Sequence, residues 1–546
     1  MTRNKSPRAF GLLVMRSAIL LGIVLVGSVA AQNPPDTLQY GTQRQADLRS
    51  QAINTYSPHM PSDSPRIGSM TPAQRRAAID AFWGDGLSTA EKLKIFDTYW
   101  DYADRMFAAY QNLVVDWPAL RQKYRAEVAA GVSRGRFAGI MNHLALQLRD
   151  SHTQANDILV NYETVPGPGV PSMGQGAWIV DTSGACLTAQ DHGSALVYSV
   201  MPNHPLGLQR GDRILGYDGK PWRELYQELI NEEVPMWLLW WGTSQSSFDH
   251  SFVMSAGMNW HLFDVMDIAK QSTGQVVHVP TSLMPGDIFW GFCSEQMNVS
   301  GVLKPNFFAG NYVRAGIVTG TNIGYIYVWG WTGNAETEFA NAVYQLTQVD
   351  KVAGLIVDYR FNVGGFIRAP LLGTAILADR PAPTLGNDQR LKSYDHFLMT
   401  TLIPPDFFKV DFLHFGNRDI PVKLSYAGPV AVLVGPGAVS AGDFGSELLR
   451  SLPVARTFGK STSMAVGLPT QPALGTFINL GPDWDARVSE SNSYAVGRPK
   501  DYLIHTEFPV DELVWLTPDD VAAGQDTVVH AAMKWLNAQI GQGPEW

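Results

Sequence analysis

Between Gly428 and Gly467 the chain reads GPVAVLVGPGAVSAGDFGSELLRSLPVARTFGKSTSMAVG. Val430-Ala431-Val432-Leu433-Val434 is short, apolar and β-branched, and it is bounded by Pro429 and Gly435. Such a run predicts a strand buried on both faces. Small residues follow to Val439, then Ser440-Ala441-Gly442-Asp443, and then Phe444, Leu448 and Leu449 at helical spacing up to Pro453. A strand that turns tightly through a serine into a helix has two readings. Ser440 either caps the helix, as serines commonly do, or offers its hydroxyl as a nucleophile beside the N–H groups of a helix start.

The 546 residues exceed one ordinary domain, and 45% hydrophobic against 17% charged residues allow sizeable cores. A net charge of -9, without a basic cluster beyond the first sixteen residues, argues against a nucleic-acid partner. Arg3, Lys5, Arg8 and Arg16 precede the apolar run Ala18–Val26 and the small residues Ser28-Val29-Ala30-Ala31. This pattern predicts a signal peptide over residues 1–31, hence a periplasmic or secreted protein with no stable membrane span after cleavage. Cys186 and Cys293 are the only cysteines, and pairing between them is open in an oxidising compartment. Neither Cys-x-x-Cys nor His-Glu-x-x-His occurs, so no metal site or cofactor is expected.

Residues 32–70 read as an extended lead-in and 71–160 as a helical domain that starts at Thr71-Pro72-Ala73. That domain ends in Leu148-Arg149-Asp150-Ser151-His152-Thr153. Residues 174–232 change to short strands, Ala177–Val180 and Ala195–Val200, followed by Gly207-Leu208-Gln209-Arg210-Gly211-Asp212-Arg213-Ile214-Leu215 and Asp218-Gly219. This run resembles a PDZ domain of the bacterial protease type, a module that binds extended peptides, usually C-terminal tails, by strand addition. Trp237-Leu238-Leu239-Trp240-Trp241 reads as core packing. The remainder, 233–546, is predicted as an α/β core with strands at 323–328 and 352–358, a helix at 337–349 and an insertion at about 381–426. Buried strands alternating with helices imply a largely parallel sheet, whose functional residues gather at strand carboxyl ends. Asn362-Val363-Gly364-Gly365 and Ser440 both fall there.

In this order, Asp150-Ser151-His152-Thr153, the PDZ-like run, Asp-x-Arg-x-Asn-x-Gly-Gly at 358–365 and Ser440-Ala441-Gly442-Asp443 resemble the C-terminal processing and tricorn-core serine peptidases. Phe508-Pro509-Val510-Asp511 and Ala523-Gly524-Gln525-Asp526 complete the pattern. The resemblance implies a multidomain α/β protein with a ClpP/crotonase-like core that hydrolyses peptides or protein tails. One branch of the family activates its serine with a lysine. Ala465 stands where that lysine would be and Lys460 where a glutamate usually precedes it, so the resemblance points to the histidine branch.

It then implies Ser440 as nucleophile, His152 as general base and Ser151 as the serine beside that base. Ala441 with Gly364 or Gly365 would be the oxyanion donors, and Glu507, ahead of Glu490, the acid that orients the base. A catalytically idle member that binds peptides or apolar ligands is the alternative. Gly459-Lys460-Ser461 mimics a phosphate loop but has Val454 where its first glycine belongs, which leaves nucleotide binding unsupported.

Overall fold

The architecture is that of a computed structural model. It describes residues 39–40, 66–162, 183–190, 193–236, 242–285, 292–367, 369–378, 385–390, 397–402, 412–415, 418–421, 426–467, 477–495, 498 and 500–541. The expected signal peptide, the strand expected at 177–180 and the Trp237–Trp241 run lie outside these residues. Among the described residues no helix is long and apolar enough to cross a membrane.

Four helices open the described chain: α1 (Pro72–Trp83), α2 (Thr89–Met106), α3 (Trp117–Ala130) and α4 (Arg134–Leu146). Thr71 with Gln74, and Ser88 with Glu91, form reciprocal capping boxes that fix the starts of α1 and α2. The aromatic stripe of this segment is core: Phe96, Tyr99 and Phe107 are fully buried and pack with Phe137 and Trp484. After α4 the chain enters β1 (Gln154–Asp157), which sits at one edge of a sheet whose other strands come from beyond residue 477 and from Gln39–Tyr40. The helical segment and the C-terminal half therefore share one apolar core.

A second sheet follows, with β2 (Ala185–Ala189), β3 (Ala195–Val200) and β4 (Arg213–Tyr217), flanked by α5 (Trp222–Asn231). It is completed only after α6 (Gln245–Met258), by β5 (Val265–Ala269) and β6 (Val276–Pro280), in the antiparallel order β2-β3-β4-β5-β6. The PDZ-like unit expected at 174–232 thus shares its sheet with strands as far as residue 280. Cys186 on β2 is disulfide-bonded to Cys293, joining the sheet to the start of the next unit.

The remaining sheet positions the site. Its strands are β7 (Val313–Ile317), β8 (Ile323–Val328), β9 (Gly354–Asp358), β10 (Val430–Val434), β11 (Ala455–Gly459) and the short β12 (Glu512–Leu513). The spatial order is β12-β11-β10-β9-β8-β7, parallel throughout except for β7 against β8. All five residues of β10 are wholly buried, as a continuous apolar run in the middle of a parallel sheet requires. Helices α7 (Ala335–Tyr344), α8 (Ala441–Arg450) and α9 (Thr527–Gln539) complete the layers. Part of the insertion also forms strands: Leu385–Arg390 pairs antiparallel with Ser491–Ala495.

Candidate active site

The carboxyl ends of β9 and β10 lie side by side, because Asp358 pairs with Leu433 in parallel register. The loop after β9 therefore meets the turn after β10. Asn362 makes the join: its carbonyl accepts from the Val439 N–H at 2.8 Å and its side-chain amide donates to Val328 at 3.1 Å. Gly364 lies directly against the serine. A Cβ built on it would stand 2.9 Å from Ser440 Cβ, 2.7 Å from the Val439 oxygen and 3.3 Å from the Ala441 nitrogen. Only a glycine at φ +82° fills that space without strain.

Ser440 occupies the N-cap position of α8 opposite Asp443, but its backbone is not that of the other capping serines. Ser88, Ser133 and Ser244 cap their helices from extended backbone, with ψ of 155°, 169° and 158°. Ser440 sits at φ 60° and ψ -115°. A non-glycine residue in such a region costs roughly 1–3 kcal/mol and persists only where its surroundings hold it there. A strained serine on a sharp strand-to-helix turn projects its hydroxyl away from the sheet.

The restraint is Asp443. Its buried carboxylate accepts from the N–H of Ser440 (2.7 Å), Met464 (2.7 Å) and Ala465 (3.1 Å) and from the Ser463 hydroxyl (2.9 Å). Burial pushes this carboxyl up to about 7 even against those donors. Ala465, at the family's lysine position, is buried and presents only its amide here. Lys460 points elsewhere, donating to the Ala189 carbonyl at 3.1 Å and lying 5.2 Å from the Trp515 ring centre.

The candidate oxyanion donors separate on inspection. The Gly364 N–H is occupied by the Asn362 side-chain oxygen at 3.1 Å. Among the described residues, the N–H groups of Ala441 and of exposed Gly365 donate to no other group. These two are the donors open to a ligand.

His152 follows the helical segment, and its ring is largely buried. Nδ1 stands 3.7 Å from the Asp150 carboxylate, outside hydrogen-bond range. The backbone of Gly467 lies close enough to the ring to favour its protonated form. Burial, reinforced by the positive charge of Arg487, lowers its pKa to about 3, and the Gly467 backbone opposes this only in part. Asp150 is buried as well and is pushed up to about 6. Segment 463–467 thus connects the two sides of the site, with Asp443 and the serine at one end and Gly467 and the imidazole at the other. Ser440 and His152 share no hydrogen bond in this state. The Ser151 hydroxyl, next to His152, is buried without a hydrogen-bond partner.

Glu507 has a different place from the one expected. It is exposed and caps α6, accepting from the Gln245 N–H at 2.5 Å and the Ser246 hydroxyl at 2.7 Å. A carboxylate at a helix N-terminus satisfies orphan amides and the helix dipole, and this one makes no contact with His152. Glu490 is wholly buried and accepts from the Tyr102 hydroxyl at 3.0 Å.

The other motifs converge behind the turn. Arg360 is buried between Asp358 (2.8 Å) and Asp526 (2.9 Å), which joins the loop after β9 to the N-cap of α9. Asp511 accepts from the N–H and hydroxyl of Thr457 on β11, both at 2.8 Å. Asp443 as a hub was not anticipated from the sequence, although the acid three residues after the serine was the available signal.

The parallel sheet thus carries a strained serine at the end of its central strand, beside two open amides. Residues 322–480 match the model of Peptidase family S41. Mature CPAF is similar in fold: 13% identity over 83% of this chain and 98% of that one, with a TM-score of 0.53. The photosystem II D1 C-terminal processing protease aligns at 16% identity over 79% and 94% of the two chains, TM-score 0.39. The tricorn protease aligns at 14% over 83% of this chain and 37% of that one, TM-score 0.38. No curated protein sequence matches the chain.

Proposed function

We propose that the protein is a periplasmic or secreted serine peptidase in which Ser440 attacks a peptide carbonyl. The observation that carries this reading is the strained backbone of Ser440, held against Gly364 beside the unengaged N–H groups of Ala441 and Gly365. The serine oxygen bonds to the carbonyl carbon while His152 accepts its proton. The tetrahedral oxyanion lies between the two amides, and His152 returns the proton to the departing amine. Water then attacks the acyl-enzyme, His152 acts again as base, and serine and a new carboxyl terminus are released. The neutral imidazole favoured by burial is the form a base requires. Since the Ser–His bond is not formed here, this reading requires substrate entry to bring the imidazole to the serine. Asp150 is a carboxylate near the imidazole, and the unpartnered Ser151 hydroxyl is placed to join the network once the ring moves.

The β2–β6 sheet with α5 is read as a PDZ-like unit that presents substrate tails by strand addition. The Cys186–Cys293 disulfide supports an oxidising compartment, as does the basic-then-apolar amino terminus. The separation of His152 from Ser440 favours a second reading, a non-hydrolysing binding protein. Covalent labelling by an organophosphorus probe distinguishes them. The peptidase reading expects labelling that is lost, together with hydrolysis of a peptide panel, in Ser440→Ala; an unlabelled, inert wild type supports the binding protein.

A further inference from the structure

A cleft of about 520 Å³ opens where the β2–β3 hairpin, α5, α6 and the core meet, with Pro436 of the turn after β10 in its lining and Ser440 outside it. Its charged wall consists of Arg223 and Lys460 against Asp249 and Glu295, and its apolar wall includes Phe252 and Trp515. Glu295 is the unusual member. Its side chain is 2% exposed and its backbone is left-handed, at φ 51°. Its N–H donates to the Tyr198 hydroxyl at 2.8 Å, and its carbonyl accepts from Arg360 at 3.3 Å. Oε1 accepts from Thr188 at 2.5 Å and lies 3.1 Å from His250 Nδ1, while Oε2 has no partner. Thr188 in turn accepts from the Trp515 indole at 2.7 Å, so both walls hold this carboxylate in place. A buried carboxylate oxygen left unpaired carries a desolvation penalty that a cationic ligand group would relieve.

On the α5 side, Arg223 lies 5.4 Å from the Phe252 ring centre and forms no ion pair among the described residues. Two positive and two negative side chains balance, so the wall favours neither a simple anion nor a simple cation. The volume is that of a small-molecule site.

We propose that this cleft binds a zwitterionic ligand of amino-acid to dipeptide size. Its ammonium pairs with Glu295 Oε2, its carboxylate with Arg223, and its apolar side chain lies on Phe252 and Trp515. The proposal is independent of whether Ser440 is a nucleophile.

The test is calorimetric titration of the full chain carrying Ser440→Ala with alanyl-phenylalanine, its N-acetyl derivative and its C-terminal amide. The free dipeptide is expected to bind, with each blocked form weaker by roughly 10- to 100-fold, the range for loss of one charge-assisted hydrogen bond. Arg223→Gln, a surface change, should abolish the discrimination between acid and amide. Glu295→Gln should abolish that between free and acetylated amine. No heat from the free dipeptide, or equal affinity for all three compounds, overturns the proposal without reliance on any buried variant.

Discussion

Replacing Gly364 with alanine tests whether the glycine loop positions Ser440. The new methyl carbon would meet the Val439 oxygen at 2.7 Å and Ser440 Cβ at 2.9 Å, and the backbone sits at φ +82°. The left-handed conformation alone costs an L-residue about 1–2 kcal/mol. Overpacking against backbone that cannot rotate away adds about 1–3 kcal/mol. The combined destabilisation is therefore about 2–5 kcal/mol. Gly310→Ala is the control, since Gly310 has φ +66° and nothing within 4 Å of the added carbon. It carries the conformational cost without the clash. Thermal melting of the two variants isolates the contact contribution, and the rate of organophosphorus labelling at Ser440 reports the displaced hydroxyl. A shift of the reacting oxygen approaching 1 Å is worth about 10²-fold, so Gly364→Ala should label at least tenfold more slowly while Gly310→Ala labels normally. Equal melting points for the two variants together with wild-type labelling would refute the close packing of loop on serine.

Arg360→Met strands Asp358 and Asp526 in a dry site. Breaking a buried ion pair in this way costs about 3–5 kcal/mol, seen as a lower urea midpoint; an unchanged midpoint removes Arg360 from the structural core. Reducing the Cys186–Cys293 bond, which spans 107 residues, should lower stability by roughly 4–5 kcal/mol on chain-entropy grounds, and a melting point indifferent to reductant would count against it. His152 is held below its unfolded pKa, so it favours the fold above about pH 6.5, and that contribution is lost as pH falls toward 3. His152→Gln, which cannot titrate, should therefore gain on the wild type as pH drops through this window. Parallel melting-against-pH curves for the two proteins would show that the imidazole is not buried.

The parts of the fold that depend on neighbours in sequence were readable from the residues. Val430–Val434 announced a central strand by its branched, uncharged run, and Thr71-Pro72 announced a helix start. Ser440 is the limiting case. Spacing located it, but its backbone angle is held by the Asp443 carboxylate and by the close approach of Gly364 from another strand, neither of which spacing reveals. Glu507 shows the converse. Its position after the serine suited an orienting acid, yet its partners are 261 and 262 positions away, at the start of α6. The pairing of Glu295 with Thr188 and His250 is equally nonlocal. The late strands that complete the second sheet were hidden because two helices intervene before β5 returns to β4.

The ion pair between Arg360 and Asp526 also dictates when the molecule can mature. During synthesis the guanidinium emerges more than 160 residues before its second carboxylate. Until the ribosome delivers α9, the loop beneath the serine turn lacks half of its counter-charge. A nascent or prematurely terminated chain that lacks Asp526 therefore holds Arg360 with only one of its two buried carboxylate partners.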